Sequence, residues 1–423
     1  DGDGLRVYRF WDTPDDGYWL DHAAVHAAKS QDVGALLCLL KSEWMTERTQ
    51  SCSVAAYQKD LDLVLAALLE VEGDKAVMVG RSRRVQYRVY AGLATAYINR
   101  VDGGRQLNAA MAVAAARNAL PLVTRSESPT DWAAAQLLLG LACSSRVGRN
   151  TAAVLDEAIA CFQLALEVWT ADTAPREWAE AQHNLGTTLH DRCHRPCHGD
   201  AAVDMEAAVV CFEKELRVWT RGETSHAWAK AHCSLGSALC SLTRGNRGAS
   251  IDAAIHHYTM ALDVWTKDAT PWEWAVTRCN LGIALDDRRT GDKDENFRAA
   301  IRNFRMAMEV WTQEVAPSEW AMTMYNLGRT YDRRVDNPAG RLADAVKCYK
   351  QALTVWTQKV PEAWADTSYN LLLCLGDMGG QTDAALVVAR QLEEFGPSWT
   401  RWTEKQQLIR ARVRDLKELQ HQQ

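Results

Sequence analysis

Metal-type donor atoms are concentrated in one place, the run His190-Asp191-Arg192-Cys193-His194-Arg195-Pro196-Cys197-His198. Two thiolates and two or three imidazoles so close together are the ligand types that Zn2+ takes. The spacing fits no standard finger, and no second Cys/His pair follows nearby. We therefore expect a polar surface loop and no metal, with Cys193, Cys197, His194 and His198 as the zinc alternative. Other chemistry has less to build on. The chain contains no GxxxxGK[ST] phosphate loop, no GxSxG and no HExxH, so no catalytic motif and no cofactor are expected. The remaining polar feature is a row: Asn184, Ser234, Asn280, Asn326 and Asn370 each stand just before a Leu. An amide at a repeated slot needs partners for its donors and its acceptor. A neighbouring helix or a bound ligand can supply them.

The elements that hold this row are periodic. Trp-Thr recurs at Trp169, Trp219, Trp265, Trp311 and Trp356, in steps of 50, 46, 46 and 45. A second Trp, followed by Ala, recurs at Trp132, Trp178, Trp228, Trp274, Trp320 and Trp364. Seven residues later comes Leu-Gly, at Gly140, Gly186, Gly236, Gly282 and Gly328, with Leu372 departing in the last unit. Self-similarity at a fixed period means a stacked repeat. Each unit reads as two helices. The first follows a Pro turn and runs through Trp-Ala and Leu-Gly, since Pro suits a first helical turn. The second carries Ala-x3-aromatic-x2-Ala, as in Ala254/Tyr258/Ala261 and Ala300/Phe304/Ala307, which puts small residues beside a ring on one face. Both Trp series are expected in the core, because rings of this size dominate burial energetics.

Leu-Gly-x2-(Leu/Tyr) followed by Ala-x3-(Phe/Tyr) resembles the tetratricopeptide repeat. Two departures set this chain apart. Gln182, His232, Arg278 and Met324 stand where the family pattern has Trp, and the period is about 46 rather than about 34. The resemblance implies an all-α, right-handed solenoid of about six to seven helix pairs over 77–395, the first of them a degenerate unit at 77–124. It also implies that the Asn row faces a concave groove where a protein or peptide binds. The groove residues are then Asn184, Asn280, Asn326 and Asn370. The row one residue earlier includes His183, Cys233, Cys279, Tyr325 and Tyr369, and the row three later includes Arg329. Tyr325, Arg329 and Tyr369 are of the types that most often become hot spots.

The stretch 1–76 differs. Tyr18-Trp19-Leu20-Asp21-His22, the apolar run 35–40, Glu43-Trp44-Met45 and Tyr57-Gln58-Lys59-Asp60-Leu61 resemble the short helical domain after the winged helix of STAND-class (NB-ARC, NOD-like) NTPases. That implies a ligand-sensing, autoinhibitory arm of a signalling ATPase. Another domain of the same full-length protein then joins the candidate partners. A scaffold without an NTPase, or the recognition arm of a CHAT-type protease, are the alternatives. The opening at Asp1, without Met or a signal-peptide pattern, reads as a fragment of something longer. A polar capping helix is expected over 396–423, as solenoid ends require.

Composition narrows the classes. Lys and Arg number 48 against 54 Asp and Glu, a net charge of −6, which argues against nucleic-acid binding. The basic run Arg81–Arg88 is expected to be a solvated helix face. No apolar run approaches the length of a membrane span. Of the 12 Cys, Cys143, Cys161, Cys211, Cys233, Cys279, Cys348 and Cys374 fall in helical apolar patterns, where thiols act as small hydrophobes. Unpaired thiols suit a reducing, cytoplasmic location.

Overall fold

The computed structural model describes residues 75–99, 105–145, 151–193, 200–333, 338–378, 380–396 and 402–422. The motifs singled out before residue 75 lie outside them, as do His194, Cys197 and His198. Among the described residues there are fifteen α-helices and no strand. The chain divides into two compact units, Asp1–Val218 and Trp219–Gln423.

The first unit contains α1 (Lys75–Asn99), α2 (Arg105–Ala119), α3 (Pro129–Ser144), α4 (Thr151–Leu166), α5 (Pro175–Cys193) and α6 (Ala201–Glu215). They pack as the pairs α1·α2, α3·α4 and α5·α6, and each pair leans on the next through α2·α3 and α4·α5. The second unit contains α7 (Ser225–Ser241), α8 (Arg247–Leu262), α9 (Pro271–Asp287), α10 (Lys293–Met308), α11 (Pro317–Arg333), α12 (Pro338–Val355), α13 (Pro361–Asp377), α14 (Thr382–Phe395) and α15 (Trp402–Gln422). Here the pairs are α7·α8, α9·α10, α11·α12 and α13·α14, and α15 packs on α14. Within each unit a first helix also touches the first helix of the next pair, as α9 touches α11. The degenerate stretch after 77 thus forms a pair of its own.

Local sequence explains several of the described connections. The Thr of Trp-Thr closes a turn with its hydroxyl. Oγ1 accepts from the N–H three residues on, at 3.2 Å for Thr170–Thr173, 3.2 Å for Thr266–Ala269 and 3.3 Å for Thr312–Val315. Pro129, Pro175, Pro271, Pro317 and Pro361 then open the next first helix, where the missing N–H costs nothing. In the opposite connection Gly245 and Gly291 take positive φ of 83° and 75°, a conformation that side chains resist. Asn246 and Asp292 follow as N-caps, accepting from Ala249 N at 3.2 Å and Glu295 N at 2.8 Å.

Within a pair the Leu-Gly glycine faces the ring of the second helix. A Cβ added to Gly140, Gly186, Gly236, Gly282 or Gly328 would lie 2.5–2.8 Å from Phe162, Phe212, Tyr258, Phe304 or Tyr349 respectively. The glycine is therefore set by close approach. In the last pair the sizes exchange: Leu372 replaces the glycine, and Ala389 stands at the ring position counted from Ala385. Both are fully buried. The Trp series divide. Trp169, Trp265, Trp311, Trp228, Trp274 and Trp364 are buried, whereas Trp132, Trp178, Trp219, Trp320 and Trp356 are only half-buried. Cys143, Cys161, Cys211, Cys233, Cys279, Cys348 and Cys374 are buried and free, the environment expected of apolar thiols.

Candidate functional site

The Asn row lies on the first helices, where residues one period apart meet across the seam between pairs. Asn370 on α13 donates through Nδ2 to the Tyr325 hydroxyl of α11 at 3.2 Å. Asn280 on α9 reaches the Cys233 thiol of α7. In both cases the residue before the slot in one pair meets the slot of the next. These amides tie neighbouring helices together. Asn326 is buried and Asn184 half-buried. Their backbone carbonyls take the hydroxyls of Thr330 (3.1 Å) and Thr188 (2.8 Å), and no hydrogen bond to either side-chain amide is seen among the described residues.

The neighbouring rows are placed differently from one another. Tyr325 is half-buried, with its ring 6.0 Å from Tyr349 and 5.9 Å from Trp356. Tyr369 is buried under the Lys405 ammonium of α15, 4.5 Å from the ring centroid. Cys233 and Cys279 are buried against the next first helix, with sulfurs 3.6 and 3.8 Å from the Thr277 and Thr323 hydroxyls. Much of the row before the amides is thus packed into the seam. Arg329 is half-buried and makes no ion pair among the described residues. Asn326 and Arg329, one helical turn apart on α11, make no side-chain hydrogen bond or close ion pair among the described residues, while the Arg329 charge acts on the Asp286 carboxylate of α9. Cys193 closes α5 with its thiol on the His190 carbonyl at 2.9 Å.

Three polar constellations escaped sequence reasoning. Glu215 on α6 is 1 % exposed and holds His183 Nδ1 at 3.0 and 3.1 Å through its two oxygens. It stands where other second helices carry Ala165, Ala261, Ala307 and Ala352, an exception visible on aligning the repeats. His232 on α7 and His257 on α8 share a hydrogen bond, Nδ1 to Nδ1 at 2.8 Å. Burial first, and then neighbouring imidazoles, push both down to about 4. The same slots in the next pair hold Arg278 and Asn303, bonded at 3.2 Å. The third is a cationic cleft at the α9–α10 connection. Ion pairs also recur along one edge, as Arg221–Asp263 (3.3 Å) and Lys267–Glu309 (2.7 Å). Being exposed, each adds little stability.

No family model matches the chain, and no curated protein does. Solved structures of helical repeat proteins are similar. The APC/C hetero-tetramer Cut9-Hcn1 matches with 12 % identity over 94 % of this chain and 73 % of that one, at a TM-score of 0.44. Yeast Tom70 matches with 12 % identity over 96 % and 97 %, at 0.29. A circular tandem repeat protein matches with 14 % identity over 95 % and 96 %, at 0.28. Among the described residues no helix is long and apolar enough to cross a membrane.

Proposed function

We propose that this chain recognises a protein or peptide along the first helices of its second unit. Asn280, Tyr325, Asn326, Arg329, Tyr369 and Asn370 form the contact row. The observation that carries the reading is the pair Asn326 and Arg329, whose amide and guanidinium make no hydrogen bond among the described residues. An amide needs both a donor and an acceptor opposite it, which an extended peptide backbone supplies. Asn370 and Asn280, already bonded across seams, hold neighbouring helices in place for that contact. Asn184 occupies the same slot in the first unit.

The finer reading is an autoinhibitory sensor arm of a STAND-class NTPase, its partner another domain of the same protein. It is supported by the sequence resemblance before residue 77. A scaffold without an NTPase, and the arm of a CHAT-type protease, are the competing readings, and the gene sequence flanking this chain separates them. The recognition reading is tested by selecting peptides from a displayed library on the chain. Their affinity is then measured for the parent and for Asn326→Ala/Arg329→Ala. Losing one desolvated hydrogen bond costs about 1–3 kcal/mol, so affinity should fall at least about tenfold with the melting curve unchanged. Selected peptides that bind the variant equally would place recognition elsewhere. Loss of folding in the variant would make the Asn row structural.

A further inference from the structure

The connections at Gly245 and Gly291, both of positive φ, bring cations to one edge of the second unit. Arg247, Arg288, Arg289 and Lys293 come from these turns and the helix starts beside them, and Arg333 comes from the end of α11. Together with Asp286, Asp287, Asn296 and Phe297 they line a cleft of about 420 Å³. Five cations face two carboxylates there, on a chain whose net charge is −6.

Three of the cations are fixed in place. Arg333 Nη1 donates to Asp286 at 2.5 Å and Asp287 at 3.1 Å. Arg247 Nη2 reaches Asp287 at 3.4 Å, while its Nη1 donates to the carbonyls of Cys240 (3.4 Å) and Leu242 (3.3 Å). Arg288 Nε donates to Asp252 at 2.7 Å, a carboxylate that also takes the Thr290 hydroxyl. Arg289 and Lys293 have no carboxylate within ion-pair reach among the described residues, and Lys293 Nζ stands 5.6 Å from the Phe297 ring centroid. A guanidinium carries five donors, and Arg333 commits only one nitrogen to the carboxylates. The wall therefore has more donors than acceptors and more positive than negative charge, with the guanidiniums of Arg247, Arg288 and Arg333 held at fixed angles.

A single carboxylate, with one charge and two oxygens, matches this excess poorly. A phosphoryl group brings about two charges and three strong acceptor oxygens, and Arg forks suit it. We propose that this cleft binds a phosphoryl group carrying two or more negative charges, either free or on a protein side chain. Arg289 and Lys293 make the variable contacts, and Arg333 and Arg247 form the fixed wall. The site shares no residue with the Asn row, so it stands or falls separately from the peptide reading.

The probe is inorganic pyrophosphate, titrated calorimetrically into the full 423-residue chain at low and at physiological salt. Saturable binding is expected, weakened at least about tenfold by Arg289→Gln/Lys293→Gln and falling with added salt. These side chains hold no internal ion pair, so the variant's melting curve should match the parent's. Arg302→Gln, on α10 and outside the cleft, is the control and should bind as the parent does. If the double variant melts differently, Lys293→Glu alone serves in its place. A short peptide with two phosphoserines, and the same peptide with two glutamates, identify the source. Tighter binding of the phosphopeptide than of pyrophosphate points to a modified protein, and the reverse to a free anion. The proposal is overturned if neither phosphorylated probe saturates, if the variant binds as the parent does, or if the glutamate peptide binds equally well.

Discussion

Gly282→Ala tests whether close approach sets the repeated glycine. The new Cβ would lie 2.8, 2.9 and 3.0 Å from Cε1, Cδ1 and Cζ of Phe304, a ring with no exposed surface. Carbon atoms pack best at about 3.5–4.0 Å, so ring and helix must separate by most of an ångström. Ala would otherwise gain about 1 kcal/mol over Gly in a helix interior. Overpacking in a rigid core costs about 1–3 kcal/mol, and here the strain on a trapped ring sits at the upper end. We expect a net loss of about 1–2 kcal/mol, read from urea unfolding of the full chain. Hydrogen exchange should rise first in α9 and α10, because stacked units depend on their neighbours. The stronger test copies the last pair, where Leu372 faces a second helix carrying Ala389. Gly282→Leu and Phe304→Ala should each destabilise the fold, and their combination should recover about 1–3 kcal/mol relative to the sum. A Gly282→Ala protein at least as stable as the parent, or strictly additive effects in the double variant, would refute the close-approach account.

Two further outcomes follow from the buried polar pairs. His232 and His257 are depressed to about 4 in the fold, against about 6.5 when unfolded. The unfolded chain thus binds more protons between those values, and stability is lost as pH falls from about 6.5 toward 4. The loss by pH 5 should be on the order of 2 kcal/mol for each imidazole that titrates. His232→Gln/His257→Cys, which installs the Gln182 and Cys211 chemistry of the preceding pair, should flatten that profile. An unchanged pH dependence of the melting temperature would count against the pair. His183→Ala strands the Glu215 carboxylate and should cost about 3–5 kcal/mol. His183→Cys/Glu215→Ala, which copies Cys233 and Ala261 of the following repeat, should stay within about 1 kcal/mol of the parent. Equal denaturation midpoints for the single and double variants would show that the buried hydrogen-bonded pair is not what the single variant breaks.

The class of fold and its rhythm are written in the amino-acid chain. Pro at helix starts, Thr after Trp, and Gly before the N-capped second helices act within a few residues, so their patterns print the helix pairs directly on the sequence. The glycine and ring slots are legible too, because one size relation repeats in five pairs and its exchange at Leu372 and Ala389 keeps that relation. Chemistry at the seams comes from tertiary packing alone. Tyr325 and Asn370 are 45 residues apart, and nothing local to either residue announces the other. The half-burial of Trp178 and Trp320, against the burial of Trp228 and Trp274, also depends on which neighbours each pair presents. Glu215 shows in the repeat alignment only as an acid in an Ala slot, and its partner His183 is supplied by the packed helices. The cationic cleft draws on α8, α9, α10 and α11, each with a few charges that look like solvated surface. A repeat brings residues one period apart into contact, yet each slot changes chemistry from unit to unit. The slot is therefore a property of the sequence pattern, and the pairing at the slot is a property of the packed helices.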